Sequence, residues 1–215
     1  MRKLFLVLLF GLFFAFNYSK AETSTEFRNR CDSYGGQVQY IPIEYKGCRG
    51  VQLICALTSG NNVALNYGPI LPANSQYCFV LNAENLSDPD FWKAIDLQSI
   101  AHLTNHGYYP GNCSDTSNVS SSNIYTYFQF TRRLCNKYVY NSYSNENSLE
   151  LCDGVTALCF TKFSVCKDEN GILMVVKLFS NNAGTEECST NINLTMHPTL
   201  SPVIFESDCF SVGCY

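Results

Sequence analysis

The chain has 215 residues, of which 46% are hydrophobic, 15% are charged and 12 are cysteines. The hydrophobic fraction is too high for an intrinsically disordered chain, and the length allows one large domain or two small ones. The formal net charge is −4 at pH 7. This acidic balance argues against nucleic acid as a partner, because surfaces that bind nucleic acid are basic.

The first 21 residues have the three-part pattern of a secretory signal peptide. Arg2 and Lys3 form a basic start, and an apolar run follows from Leu4 to Phe16. Ser19 and Ala21 then place small residues at the −3 and −1 positions of a cleavage site. The apolar run is shorter than the roughly 18 residues that a membrane-spanning helix needs, so an uncleaved anchor is the weaker alternative. We expect cleavage after residue 21, secretion, and no stable membrane insertion.

No internal repeat or low-complexity linker divides residues 22–215, so we expect a single domain there. All 12 cysteines lie within it, and in an oxidising compartment they should pair as disulfides. Zinc is the weaker alternative, because no pair has C-x2-C spacing and export disfavours thiolate sites. Cys209 and Cys214 near the C-terminus are candidates for two interchain links in a disulfide-linked homodimer; equally, they could pin the tail to the domain.

Four Asn-x-Ser/Thr sequons indicate a glycoprotein. They begin at Asn85, Asn112, Asn118 and Asn193. Since the chain carries an export signal and most of these sites lie at polar turns, we expect most of them to bear a glycan and therefore to face solvent.

Short β-branched or aromatic runs between turn residues predict an all-β fold. The runs are 37–43, 51–57, 77–81, 124–130, 137–140, 157–161, 172–179, 192–196 and 203–205. Such a series is typical of an antiparallel sandwich or barrel. One segment differs, because Ser87 or Asp88 can cap a short helical turn over Pro89–Lys93; we expect a strand to follow it.

The stretch from Leu53 to Val80 has a distinctive order of features. A strand with a cysteine runs through a polar turn into Tyr67-Gly68 and a Pro-Ile-Leu-Pro loop, and a second strand carries Tyr77-Cys78. This order resembles the N-terminal domain of the coronavirus spike S1 subunit, most closely that of alphacoronaviruses. A looser likeness continues through 99–109 and 151–159.

The resemblance implies a galectin-like antiparallel β-sandwich. It also implies that disulfides join Cys55 to Cys78 and Cys152 to Cys159. We expect the domain to stand alone, without the receptor-binding domain, fusion machinery and membrane anchor of a spike. The chain is therefore similar to the free-standing, secreted accessory glycoprotein that alphacoronaviruses of the canine group encode.

No sequence motif favours catalysis, a metal or a cofactor. His102 and His106 stand four residues apart, but they lack the intervening Glu of a zinc helix, and the expected strand would separate them. No G-x-S-x-G elbow supports serine hydrolysis, and cysteines with disulfide partners are not nucleophiles. A secreted hydrolase built from distant residues is the weakest alternative.

Binding of a host ligand is the better-supported class of function. Aromatic rings that stack on sugars are available at Trp92, Tyr108, Tyr109, Tyr125 and Tyr127, although most aromatics at strand spacing belong to a core. The resemblance implies a non-catalytic protein that binds a host glycan or protein at the cell surface, or that acts as a decoy or immune modulator. A cellular β-sandwich lectin is the alternative.

Overall fold

The computed structural model describes residues 24–72, 88–113, 126–141, 146–151, 157–184, 197–198, 204–208, 210–211 and 214. Two helices lie in this part of the chain, α1 (Ser24–Ser33) and α2 (Pro89–Asn105). The strands are β1 (Gln37–Tyr45), β2 (Cys48–Ser59), β3 (Asn62–Pro72), β4 (Thr126–Arg133), β5 (Cys135–Asn141), β6 (Glu146–Leu151), β7 (Leu158–Lys167), β8 (Leu173–Ala183), β9 (His197–Pro198), β10 (Ile204–Glu206) and β11 (Phe210–Ser211). The predicted all-β class is confirmed. The predicted signal peptide lies outside the described residues.

The central strand of the sheet is β3. It pairs with β2 along one edge, and along the other with β4 over its first half and with β6 at Ile70. The sheet continues from β4 through β7 to β8, and from β6 through β5 to β10 and β9. In the described part of the chain, β8 thus stands at one end of the strand order and pairs with β7 alone.

One strand pair departs from the expected antiparallel arrangement. β3 and β4 run parallel from Asn62 to Asn66, whereas the other pairs between named strands of the described segments are antiparallel. Parallel neighbours need a long crossover connection, because the chain must return to the same end of the sheet. Here the crossover from β3 to β4 contains α2. The sheet is mixed, because it combines this parallel pair with antiparallel pairs.

Helix α2 packs against the inner face of this sheet. Its buried residues recur every third or fourth position, at Phe91, Trp92, Ile95, Asp96, Ser99, Ile100, Leu103 and Thr104. This spacing places them on one side of an α-helix. They meet inward-facing side chains of the strands, among them Ile54, Leu65 and Phe130, in the main hydrophobic core.

Helix α2 is longer than the sequence predicts. The chain beyond Pro89–Lys93 stays helical to Asn105 instead of forming a strand. The Asp88 carboxylate caps the start by accepting a hydrogen bond at 2.9 Å from a backbone N–H of the first turn. Ile100 and Leu103 are fully buried. The apolar residues that suggested a strand are therefore the buried side of the last helical turns.

Helix α1 covers the opposite face of β2. Phe27 and Cys31 on the helix are fully buried against Leu53 and Cys55 on the strand. The neighbouring Ile54 points the other way, into the main core beneath α2. Strand β2 is consequently buried on both faces, which accounts for its continuous apolar sequence.

The disulfide implied between Cys55 and Cys78 is wrong. Cys55 is bonded to Cys31, and their Cα atoms are 5.6 Å apart because α1 packs directly on β2. Cys78 lies outside the described residues. A second disulfide joins Cys113 to Cys166 and ties the chain after α2 to the end of β7.

The implied link between Cys152 and Cys159 is also wrong, because Cys159 is bonded to Cys214. The Cys214 sulfur lies 3.1 Å from the Ser180 hydroxyl oxygen, so the C-terminal tail reaches the β7–β8 pair. The predicted interchain role of Cys214 is therefore corrected: its bond lies within the chain and pins the tail to the domain. Cys209, the other interchain candidate, lies outside the described residues.

Candidate functional site

The outward face of β8, together with Ile172 just before the strand, carries a row of exposed apolar side chains. Five large hydrophobic side chains are between 41% and 59% exposed: Ile172, Met174, Val176, Leu178 and Phe179. We call these five residues the β8 face. Their near alternation follows from strand geometry, in which successive side chains point to opposite faces of the sheet.

The other face of β8 already contributes to the core. Leu173 and Val175 point inward and pack against the main hydrophobic cluster. An antiparallel strand with one solvated face usually alternates apolar and polar residues. Strand β8 is instead apolar on both faces, so Met174 and Val176 need an explanation other than the core of this domain.

A bulge brings an additional apolar side chain to this surface. Lys162 pairs with Phe179 and Phe163 pairs with Lys177, so Leu178 is inserted between the two pairs. An inserted residue of this kind bends a strand and redirects its side chains. The bulge places two adjacent large residues, Leu178 and Phe179, in the exposed row.

A polar and aromatic rim borders the β8 face on the neighbouring strands. The Lys162 ammonium lies 4.7 Å from the centroid of the Tyr127 ring. Tyr127 is partly exposed, whereas the next residue, Phe128, is fully buried. An apolar row with a polar rim is the usual anatomy of a surface that binds another protein.

The aromatic residues selected from the sequence occupy very different environments. Trp92 is 1% exposed and meets the Tyr67 ring edge-on, so the expectation that it contacts a ligand is wrong. Tyr108 is half-buried against the core, whereas Tyr109 is 73% exposed. Tyr125 lies outside the described residues. Contact of Tyr109 with a ligand therefore stays a prediction.

One predicted glycosylation site is on the described surface. Asn112 is exposed and makes an isolated backbone bridge with Lys167 at the end of β7. Its position is compatible with an attached glycan, whose presence stays a prediction. Asn85, Asn118 and Asn193 lie outside the described residues.

A buried charged cluster joins α2 to β3 and β4. The Asp96 carboxylate accepts hydrogen bonds from the Tyr67 hydroxyl and from the Arg132 guanidinium. The guanidinium carbon also lies 5.4 Å from the Trp92 ring centroid. Burial raises the pKa of Asp96 to about 6, against the lowering effect of Arg132. Asp96 is fully buried, so solvent does not reach this carboxylate and the cluster is structural.

The two histidines lie together, contrary to the expectation that a strand would separate them. His102 is in the last turn of α2 and His106 is its C-cap residue. Their ring centroids are 4.1 Å apart and their planes differ by 16°. In the described segments, no group of three or more His, Cys, Asp or Glu side chains is arranged to hold a metal ion.

Sequence reasoning predicted the strand at 172–179 but did not select it as a site. The available signal was the uninterrupted apolar run 172–176, which exceeds what one buried face requires. That pattern also fits a strand buried on both faces, as in β2. The exposure of Met174 and Val176 in the folded chain separates the two interpretations.

No protein-family model, curated protein or solved structure matches the chain. The likeness to the spike N-terminal domain therefore stays a prediction from the sequence. None of the helices in the described segments is long and apolar enough to cross a membrane.

Proposed function

We propose that the chain is a secreted, disulfide-crosslinked glycoprotein that binds a host protein through the β8 face and catalyses no reaction. The observation that carries this proposal is the exposed apolar row on β8. Soluble proteins rarely leave a contiguous apolar patch uncovered unless it binds something. Aliphatic side chains suit a protein partner better than a sugar, which is recognised through aromatic rings and polar groups.

The cysteine chemistry supports the export that this function requires. All eight cysteines in the described residues are disulfide-bonded. Disulfides persist in the secretory pathway and outside the cell, where thiols are not kept reduced. Together with the predicted signal peptide and sequons, this supports secretion as a glycoprotein.

The stretch that resembles the spike domain supports the proposal that the chain is a viral protein. Strands β2 and β3 form an antiparallel pair around a tight turn, as the first part of this stretch predicts, whereas residues 69–72 continue β3 instead of forming the expected loop. We infer a galectin-like accessory glycoprotein of the coronavirus type that occupies a host receptor or immune factor as a decoy. A fold-level analogy of this kind supplies no ligand.

Glycan binding, as in a secreted lectin, is the second candidate. It is favoured by the exposed ring of Tyr109 and by the Tyr127 ring beside Lys162 on the outward sheet surface. Stacked aromatic rings and nearby polar groups are the usual elements of a sugar site.

Binding to cultured mammalian cells tests the proposal. Purified secreted protein is labelled, and cell-bound protein is measured for wild type and for Val176→Lys. The new charge would be desolvated at the centre of the interface, so we expect at least a tenfold loss of affinity, about 1.4 kcal/mol or more. Leu97→Lys is the matched control, because Leu97 is an exposed aliphatic residue on α2, and it should bind as wild type does.

Treatment of the cells distinguishes the two candidates. Binding that is lost after protease treatment but survives glycosidase treatment supports a protein partner. Binding that survives protease, needs glycans and is unaffected by Val176→Lys contradicts the proposal and favours the lectin. A dimer in solution that Val176→Lys dissociates would reassign the β8 face to contact between two copies of the chain.

A further inference from the structure

The C-terminal end of α2 brings two potential metal ligands together. His102 and His106 are four residues apart, and helical geometry places such residues above one another on one side of the helix. His106 is exposed and His102 is partly exposed. A solvated cation can therefore reach both rings.

The ring of His106 is already oriented as a ligand. Its Nδ1 atom lies 2.7 Å from the backbone carbonyl oxygen of His102. A carbonyl oxygen only accepts, so Nδ1 carries the hydrogen and donates it. The lone pair is consequently on Nε2, which points away from this bond. Metal-binding histidines are commonly held by such a bond from the second ring nitrogen to a carbonyl.

The end of helix α2 favours a bound cation over two protonated rings. The rings are stacked at 4.1 Å, so two protonated rings would repel each other, whereas a shared cation needs both rings neutral. The last turn of a helix also attracts positive charge, because its carbonyl groups point outward there.

We propose that His102 and His106 form a two-histidine site for a late first-row divalent cation, with water in the remaining coordination positions. Imidazole nitrogen suits Zn²⁺, Ni²⁺ and Cu²⁺, whereas Mg²⁺ prefers oxygen ligands. Imidazole lone pairs lie in the ring plane, so binding of one ion by both nitrogens requires the His102 ring to turn out of the parallel stack. This site does not depend on the function proposed for the β8 face.

Titration of the secreted protein, produced without a histidine tag, tests the site. Zn²⁺ and Ni²⁺ are added separately and binding is measured by calorimetry at neutral pH, with Mg²⁺ as the negative probe. We expect one ion per chain, and at least a tenfold loss of affinity in His102→Ala and in His106→Ala. His197→Ala is the matched control, because it removes the remaining histidine of the chain and should leave binding unchanged.

A second readout does not depend on the heat of binding. A ligand that binds only the folded state raises the melting temperature, so Zn²⁺ should raise it for wild type and His197→Ala but not for His106→Ala. Lowering the pH to 5.5 should weaken binding, since protons compete for the imidazoles. Equal zinc affinity in wild type and both single variants, or loss in His197→Ala alone, would overturn the proposal.

Discussion

Arg132 and Asp96 form an ion pair whose side chains are only 3% and 0% exposed. Removing two charges from water costs several kcal/mol for each ion, and their attraction offsets this cost only with good geometry and further hydrogen bonds. The Tyr67 hydroxyl supplies one such bond to Asp96, and the Trp92 ring lies beside the guanidinium. The pair therefore specifies how α2 sits on β3 and β4, while its net contribution to stability is small.

Loss of one partner of this pair should be far more damaging than the net contribution suggests. Arg132→Met leaves the Asp96 carboxylate buried without its cation, and we expect the free energy of unfolding to fall by about 3–5 kcal/mol. Urea unfolding under non-reducing conditions measures this change. Arg49→Gln is the control, because the Arg49–Glu44 pair is exposed on β1 and β2, and it should cost no more than about 1 kcal/mol. Equal losses in the two variants would contradict the structural role of the buried pair.

At the level of the element, β3 bends where it passes under α1. The pairing of β2 with β3 slips between Gln52 and Ile54, so that Leu53 faces both Gly68 and Pro69. The buried Gln52 amide donates to the carbonyl oxygens of Leu53 and Gly68 at 2.8 and 2.7 Å. It thereby satisfies acceptors that the irregular pairing leaves without their regular partners.

Gly68 is required at this bend because Phe27 of α1 packs directly on its backbone. A Cβ atom at residue 68 would lie 2.6 Å from atoms of the Phe27 ring, and Phe27 is fully buried. We expect Gly68→Ala to cost about 1–3 kcal/mol by overpacking. Thermal and urea unfolding measure it. Gly60→Asn is the control, since nothing lies near Gly60 and Asn tolerates its positive φ, and a similar loss there would contradict the steric explanation.

For the molecule as a whole, disulfides connect distant parts of the chain to the sheet. Cys159 and Cys214 are 55 residues apart in sequence, and their bond attaches the tail to β7. Closing a loop of that length restricts the unfolded chain, which is worth about 4 kcal/mol in the chain-entropy treatment.

Cys214→Ser should therefore lower the free energy of unfolding by up to about 4 kcal/mol. The denatured variant should show one more free thiol than wild type, that of Cys159, in a colorimetric thiol assay. Non-reducing electrophoresis of wild type should show no covalent dimer that depends on Cys214. A wild-type dimer that becomes a monomer in Cys214→Ser would contradict the intrachain bond and restore the interchain prediction.

Strand positions were largely predictable, because short runs of apolar and β-branched residues mark strands wherever they pack. The runs at 37–43 and 51–57 correspond to β1 and β2. Strand β3 was missed, because Gly and Pro usually mark a turn and Gly68 and Pro69 lie within it. The irregular pairing with β2 at this point accommodates both residues within the strand. Helix α2 was cut short, because its apolar residues from 100 onward suit a strand as well as a helix.

The candidate site was less predictable than the fold. The sequence identified aromatic residues but not their exposure, and Trp92 proved to be in the core. It identified the strand of the β8 face but not that the outward face of this strand is exposed. Exposure depends on which elements cover a residue, and this depends on contacts between segments far apart in the chain.

The sequence by itself determined the acidic charge, the even number of cysteines and the β-rich pattern, because each is a property of composition or of local periodicity, and it predicts an export signal. Only the tertiary structure decided which cysteines meet, that α2 brings His102 and His106 together, and that β8 exposes an apolar face. The physical reason is that alternation assigns a side chain to one face of a strand. Whether that face is covered depends on the packing of the rest of the chain.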